Sequence, residues 1–140
     1  MARYLVVANQ TLGGATLLET TRAEAAGRDA SFCIVVPASP PRSGFTSTEG
    51  QARALADERL RAALSLFRSA GLEVDGEMGD ADPMLAVEDV LRQNEFDAIV
   101  LSTPASGISQ WLGVDLPRRM RAAFAKPVLR AVDVNGSLAA

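Results

Sequence analysis

Five short apolar runs, each separated from the next by a segment with helical periodicity, constrain this chain more than any other feature. They are RYLVVA (Arg3 to Ala8), FCIVVP (Phe32 to Pro37), LEVDGEM (Leu72 to Met78), FDAIVLS (Phe96 to Ser102) and PVLRAV (Pro127 to Val132). Runs this short and rich in β-branched residues read as strands. Strict strand-helix alternation has one common solution: a parallel sheet with helices on both faces, joined by right-handed crossovers. The third run alternates apolar with polar residues, which suits a strand at the sheet edge. The fourth is apolar throughout, which suits a central one.

The helical segments carry their own punctuation. Asn9 or Thr11 can cap the first helix, whose stripe is Leu12, Ala15, Leu18 and Ala25, and Gly27 ends it. Thr48 to Gln51 forms a capping box. It opens the longest helix, with Ala56, Leu60, Ala63, Leu64 and Phe67 on one face and Gly71 as the stop. Asp82 and Pro83 are a cap and a first-turn proline, ahead of a buried face of Leu85, Val87, Val90 and Leu91. Ser109 caps a further segment that Gly113 interrupts. Asp115 and Pro117 then start a helix with Leu116, Met120, Ala123 and Phe124 as its stripe. No linker divides the 140 residues, so one domain over 1–140 is expected.

Several functions are excluded by what the chain lacks. It contains no histidine, which removes Ser-His and Cys-His pairs, histidine metal sites and the usual general base. No metal site and no catalytic constellation are expected. The single cysteine, Cys33, lies in an apolar strand and reads as inert core. The acidic stretch Glu73 to Pro83 fails as a calcium loop, because a loop starting at Asp75 would need glutamate where Ala86 stands. It reads as a solvated strand end and helix start. A net charge of −3 argues against nucleic acid, no apolar run is long enough to span a membrane, and MARYLVVANQ is too short in apolar residues for a signal peptide. A cytoplasmic location is therefore expected. Residues 101–140 nonetheless hold five basic and two acidic side chains, so positive charge gathers near the C-terminal end.

In parallel α/β sheets ligands sit beyond the carboxyl ends of the strands, at the switch point. Four loops qualify: Asn9 to Gly14, Pro37 to Ser47, Met78 to Asp82 and Ser102 to Ser109. The second is long and rich in Pro, Ser and Gly, as binding loops and plain surface loops both are. The first and last hold the most small polar residues. Candidate ligand contacts are Asn9, Gln10, Thr11, Pro37, Ser102, Thr103, Ser106, Gly107 and Ser109, with Arg118 and Arg119 one turn into the following helix. A receiver domain shares this layout but needs acidic residues after the first strand, where VANQ stands, and a lysine after the fifth, whereas Lys126 precedes it. The dinucleotide fingerprint is absent after the first strand.

GDADP (Gly79 to Pro83), FDAIVLST followed by a glycine-bearing loop, GISQWL and KPVL together resemble the universal stress protein family along nearly the whole chain. ANQTLGG and STPASGISQWLGVDLP resemble an actinobacterial branch of it. The resemblance implies strand order 3-2-1-4-5, residues 9–14 opposite residues 102–109, and a homodimer, often formed through the last strand.

ATP-binding members carry G-x2-G-x9-G-(S/T), whose glycines let backbone N–H groups approach phosphates. On this chain, with the spacer one residue shorter, the three glycines fall on Ser102, Ala105 and Val114, and the final hydroxyl falls on Asp115. All three glycines are replaced. Asp115 sets a negative charge against a phosphate, a repulsion of about 4 kcal/mol at ~4 Å and a surface-like dielectric. The aspartate usual after the first strand is Asn9 here. The expectation is a regulatory or binding module that does not hold ATP in the usual manner, requires no cofactor, and acts through a protein partner the sequence does not name. The alternative is a nucleotide- or small-anion-binding protein using an altered loop after the fourth strand, with an enzyme behind it.

Overall fold

The computed structural model describes residues 2–8, 15–26, 29–38, 49–104 and 116–133. The elements run β1 (Ala2–Val7), α1 (Ala15–Ala25), β2 (Ala30–Pro37), α2 (Glu49–Ser69), β3 (Glu73–Gly79), α3 (Pro83–Gln93), β4 (Ala98–Pro104), α4 (Leu116–Phe124) and β5 (Val128–Asp133). All four pairings are parallel, and the sheet order is β3-β2-β1-β4-β5. Both the α/β class and the strand order match the expectation.

Alternation along each strand sends side chains to two cores. Tyr4, Val6, Phe32, Ile34 and Val100 meet α1 and α2, through Leu18, Leu60 and Phe67 among others. Leu5, Val7, Val35, Ile99 and Leu101 meet α3 and α4, through Val87, Val90 and Met120. On the first face Phe32 stacks on Tyr4 at 5.6 Å and meets Phe67 edge-on at 6.4 Å.

The helix ends follow the sequence signals. Gly71 takes φ +84°, and the Leu72 N–H donates to the Phe67 carbonyl (3.2 Å), closing α2. The Asp82 carboxylate accepts from the Met84 N–H at 2.9 Å, with Pro83 opening α3. Asp80 in turn accepts from the Asp82 N–H at 2.9 Å. The acidic stretch is thus strand and capping turn. Ala125, at φ 54°, closes α4 where glycine is usual.

Three details differ from expectation. Leu85 is 45% exposed; α3 buries Val87 and Val90 as expected, with Pro83 and Ala86 beside them in place of Leu85. At about 100° per residue, Leu85 lies opposite that stripe. Ala123 is exposed because Pro117 and Met120 carry the buried side of α4. Strand β4 continues to Pro104, because β5 pairs with it as far as Pro104↔Asp133.

The amino edge of the sheet is tied by local contacts. The Arg3 N–H donates to the Asp97 carboxylate and the Asp97 N–H to the Arg3 carbonyl, both at 2.7 Å. The Arg3 guanidinium lies 5.0 Å from the Phe96 ring centroid. Lys126 donates to the Phe96 carbonyl at 2.9 Å.

Candidate functional site

Parallel strands end on one side of the sheet, so all four candidate loops leave from the same edge. Between β1 and β4 the chain direction across the sheet reverses. From β1 it passes over one face to β2 through α1; from β4 it passes over the other face to β5 through α4. Neighbouring strands whose connections diverge leave a crevice at their carboxyl ends, the usual ligand position in such sheets. The pairing Val7↔Leu101 sets the two strand ends side by side. The Ala8 N–H donates to the Val35 carbonyl at 3.1 Å, which holds the β1 exit against β2.

The structure places part of the sequence-predicted site. Ser102 and Thr103 are strand residues, paired with Ala131 and Val132 of β5, rather than the opening of a loop. This corrects the expected strand end at Ser102. Successive residues of a parallel strand turn their peptide groups to opposite sides: the Ile99 N–H donates to the Pro127 carbonyl at 2.9 Å, so Thr103 faces β5 as Ile99 does, while the Ser102 peptide groups face the β1 side, where the crevice lies. Pro37 closes β2, opposite Gly79, and is buried. Arg118 and Arg119 are exposed on the first turn of α4. Asn9, Gln10, Thr11, Ser106, Gly107 and Ser109 lie outside the described residues, as do Val114 and Asp115.

Cys33 is the one thiol of the chain, and it is buried on the α3–α4 face of β2. Burial, reinforced by the Asp75 carboxylate that accepts its hydrogen bond, pushes the thiol up from 9.0 to about 12. The folded protein therefore favours the neutral thiol. Its contribution to stability is complete below pH 9 and is lost as pH rises from about 9 towards about 12. At pH 8, native protein is expected to react with iodoacetamide at least tenfold more slowly than protein in denaturant, roughly the factor that one unit of thiol pKa supplies. Equal rates would show the thiol to be accessible and reactive. Among the described residues no group of His, Cys, Asp and Glu is arranged to hold a metal ion.

A cleft of about 620 Å³ lies at the end of β3, lined by Arg53 of α2, by Glu77, Met78 and Asp80, and by Asp89 of α3. Sequence reading named the segment Met78 to Asp82 as a candidate loop but assigned no ligand contact in it. The available signal was the polar alternation of β3, which marks an edge and hence an open flank.

No family model matches this chain, and none of the curated proteins does. Solved structures do match. One is a universal stress protein from Archaeoglobus fulgidus, 23% identical, covering 93% of each chain with a TM-score of 0.64. Another is a universal stress protein in complex with cAMP, 16% identical, covering 91% of this chain and 95% of that one with a TM-score of 0.59. The chain has the fold of these proteins. No helix among the described residues is long and apolar enough to cross a membrane.

Proposed function

We propose that this chain is a universal stress protein of the type that regulates by binding, acting as a cytoplasmic homodimer and not holding ATP in the usual manner. The fold supports the family reading, and the residues at the ATP motif carry the rest. In the motif alignment Ser102, Ala105 and Val114 replace the glycines and Asp115 replaces the hydroxyl. Side chains at three glycine positions would crowd phosphates, and a carboxylate at the fourth would repel them. Binding rather than turnover is the role we assign, since the chain has no histidine to serve as the usual general base. The outer edge of β5, which pairs only with β4 among the described residues, is the edge we assign to self-association.

A second reading is nucleotide or small-anion binding through the altered loop. One structural neighbour is a complex with cAMP, and Arg118 and Arg119 sit exposed at the start of α4, after that loop. Thermal unfolding with and without millimolar Mg-ATP, ADP, AMP, cAMP and phosphate separates the readings. A ligand at 100 times its dissociation constant adds about 2.7 kcal/mol, several degrees for a domain of this size. ATP is expected to leave the transition unchanged. A shift with ATP overturns the first reading. A shift with cAMP or phosphate alone supports the second.

A further inference from the structure

The β3 edge combines three independent observations. The first is backbone. The Ala38 N–H donates to the Gly79 carbonyl at 3.1 Å, so Gly79 faces β2. In a parallel ladder successive residues face opposite sides, so Glu73, Asp75 and Glu77 also face β2 and Val74, Gly76 and Met78 face outward. The Val74 carbonyl accepts from the Arg68 guanidinium at 3.4 Å. The peptide groups of Gly76 and Met78 have no such cover among the described residues, where β3 pairs only with β2. The second is shape: the cleft of about 620 Å³ runs beside this stretch, along Glu77, Met78 and Asp80. The third is charge. Glu73, Asp75, Glu77 and Asp80 are all exposed along the strand. Arg92, on the far wall, is already paired with Glu88 and Asp89, which leaves Arg53 as the cleft's other cation.

We propose that the outer edge of β3, from Gly76 to Asp80, receives an extended basic peptide segment of a partner protein as an added strand. Main-chain bonds to Gly76 and Met78 hold the segment, and lysine or arginine at alternate positions faces the carboxylates. A second copy of this chain is disfavoured there, since two β3 edges would oppose like charges. The assignment is independent of what binds at the β1–β4 crevice.

The test uses the full chain, isotopically labelled, and two acetylated probes: the heptapeptide Lys-Val-Lys-Val-Lys-Val-Lys and its counterpart with Glu for Lys. Amide exchange and NMR titration are read residue by residue. The basic probe is expected to bind saturably and to protect the Gly76 and Met78 amides, and the acidic probe to do neither. Glu77→Lys is expected to weaken the basic probe by about fivefold, from one cross-strand attraction turned into a repulsion. Glu77→Gln, which keeps the shape, should weaken it less. The proposal is overturned by unprotected amides at millimolar basic probe, or by equal affinity in wild type and Glu77→Lys. It is equally overturned by protection that grows with protein concentration alone, which would mean that a second copy fills the edge.

Discussion

Phe67→Ala is expected to cost about 3–5 kcal/mol, the range for truncating a large aromatic in a packed core. Phe67 is fully buried in α2 and meets the Phe32 ring, which itself stacks on Tyr4. Those three residues belong to α2, β2 and β1, so one side chain links the longest helix to the two strands beneath it. The Phe67 carbonyl receives the Leu72 N–H that closes α2 (3.2 Å), a backbone bond that alanine keeps, so the loss reports the ring alone. A cavity there cannot collapse easily, because sheet and helix backbone both resist movement. Denaturant unfolding of the variant checks this. The midpoint should fall steeply with little change in m. A loss below about 1 kcal/mol would mean that the helix and sheet are not packed as described.

The architecture was legible because its signals are local. The RYLVVA and FCIVVP runs, the Asp82–Pro83 cap and the Gly71 stop each depend on a few neighbouring residues, and each was found where it was read. Strand order is different. Nothing in the periodicity says that β4 lies beside β1; that came from the resemblance of GDADP, GISQWL and KPVL to a known family. The errors are also instructive. Hydrophobicity alone points Leu85 to the core, but the helical period set by Pro83, Ala86, Val87 and Val90 turns it outward. The small polar residues after the apolar run point to a strand end at Ser102. Pairing with β5 extends the strand to Pro104 regardless of side-chain polarity, since ladder bonds use only backbone.

The site was legible as a place more than as a set of contacts. The alternation alone pointed to the carboxyl edge, and the observed order puts the switch between β1 and β4. The outward-facing groups of Gly76 and Met78, unpaired among the described residues, had no sequence signal, because which way a peptide group points depends on the register of β3 against β2. At the amino edge, Arg3, Asp97 and Lys126 tie the strand ends with side chains, while the described contacts at the carboxyl ends of β1 and β2 are backbone bonds from Ala8 and Ala38.

Gly79→Ala is the second large expectation, at about 1–3 kcal/mol, the usual cost of inserting a methyl group where there is no room. A Cβ at position 79 would lie 2.6 Å from the Ala86 Cβ and 3.0 Å from Val35 Cγ2. Neither neighbour can yield cheaply, since Ala86 is fixed to the α3 backbone and Val35 is fully buried in β2. The glycine of GDADP is therefore a contact glycine, in contrast to Gly71, whose φ of +84° is what excludes side chains while the space around it is open. A double-mutant cycle with Ala86→Gly distinguishes the two causes. Removing the Ala86 methyl costs about 1 kcal/mol in helix propensity by itself. It also removes the closest clash, so the double variant should be more stable than the sum of the single effects by about 1 kcal/mol. Gly71→Ala combined with Ala86→Gly should be additive, because the sites share no contact. Additivity in the Gly79 cycle as well would refute the close approach of α3 to the end of β3. It would also remove the wall that shapes the cleft beside Met78.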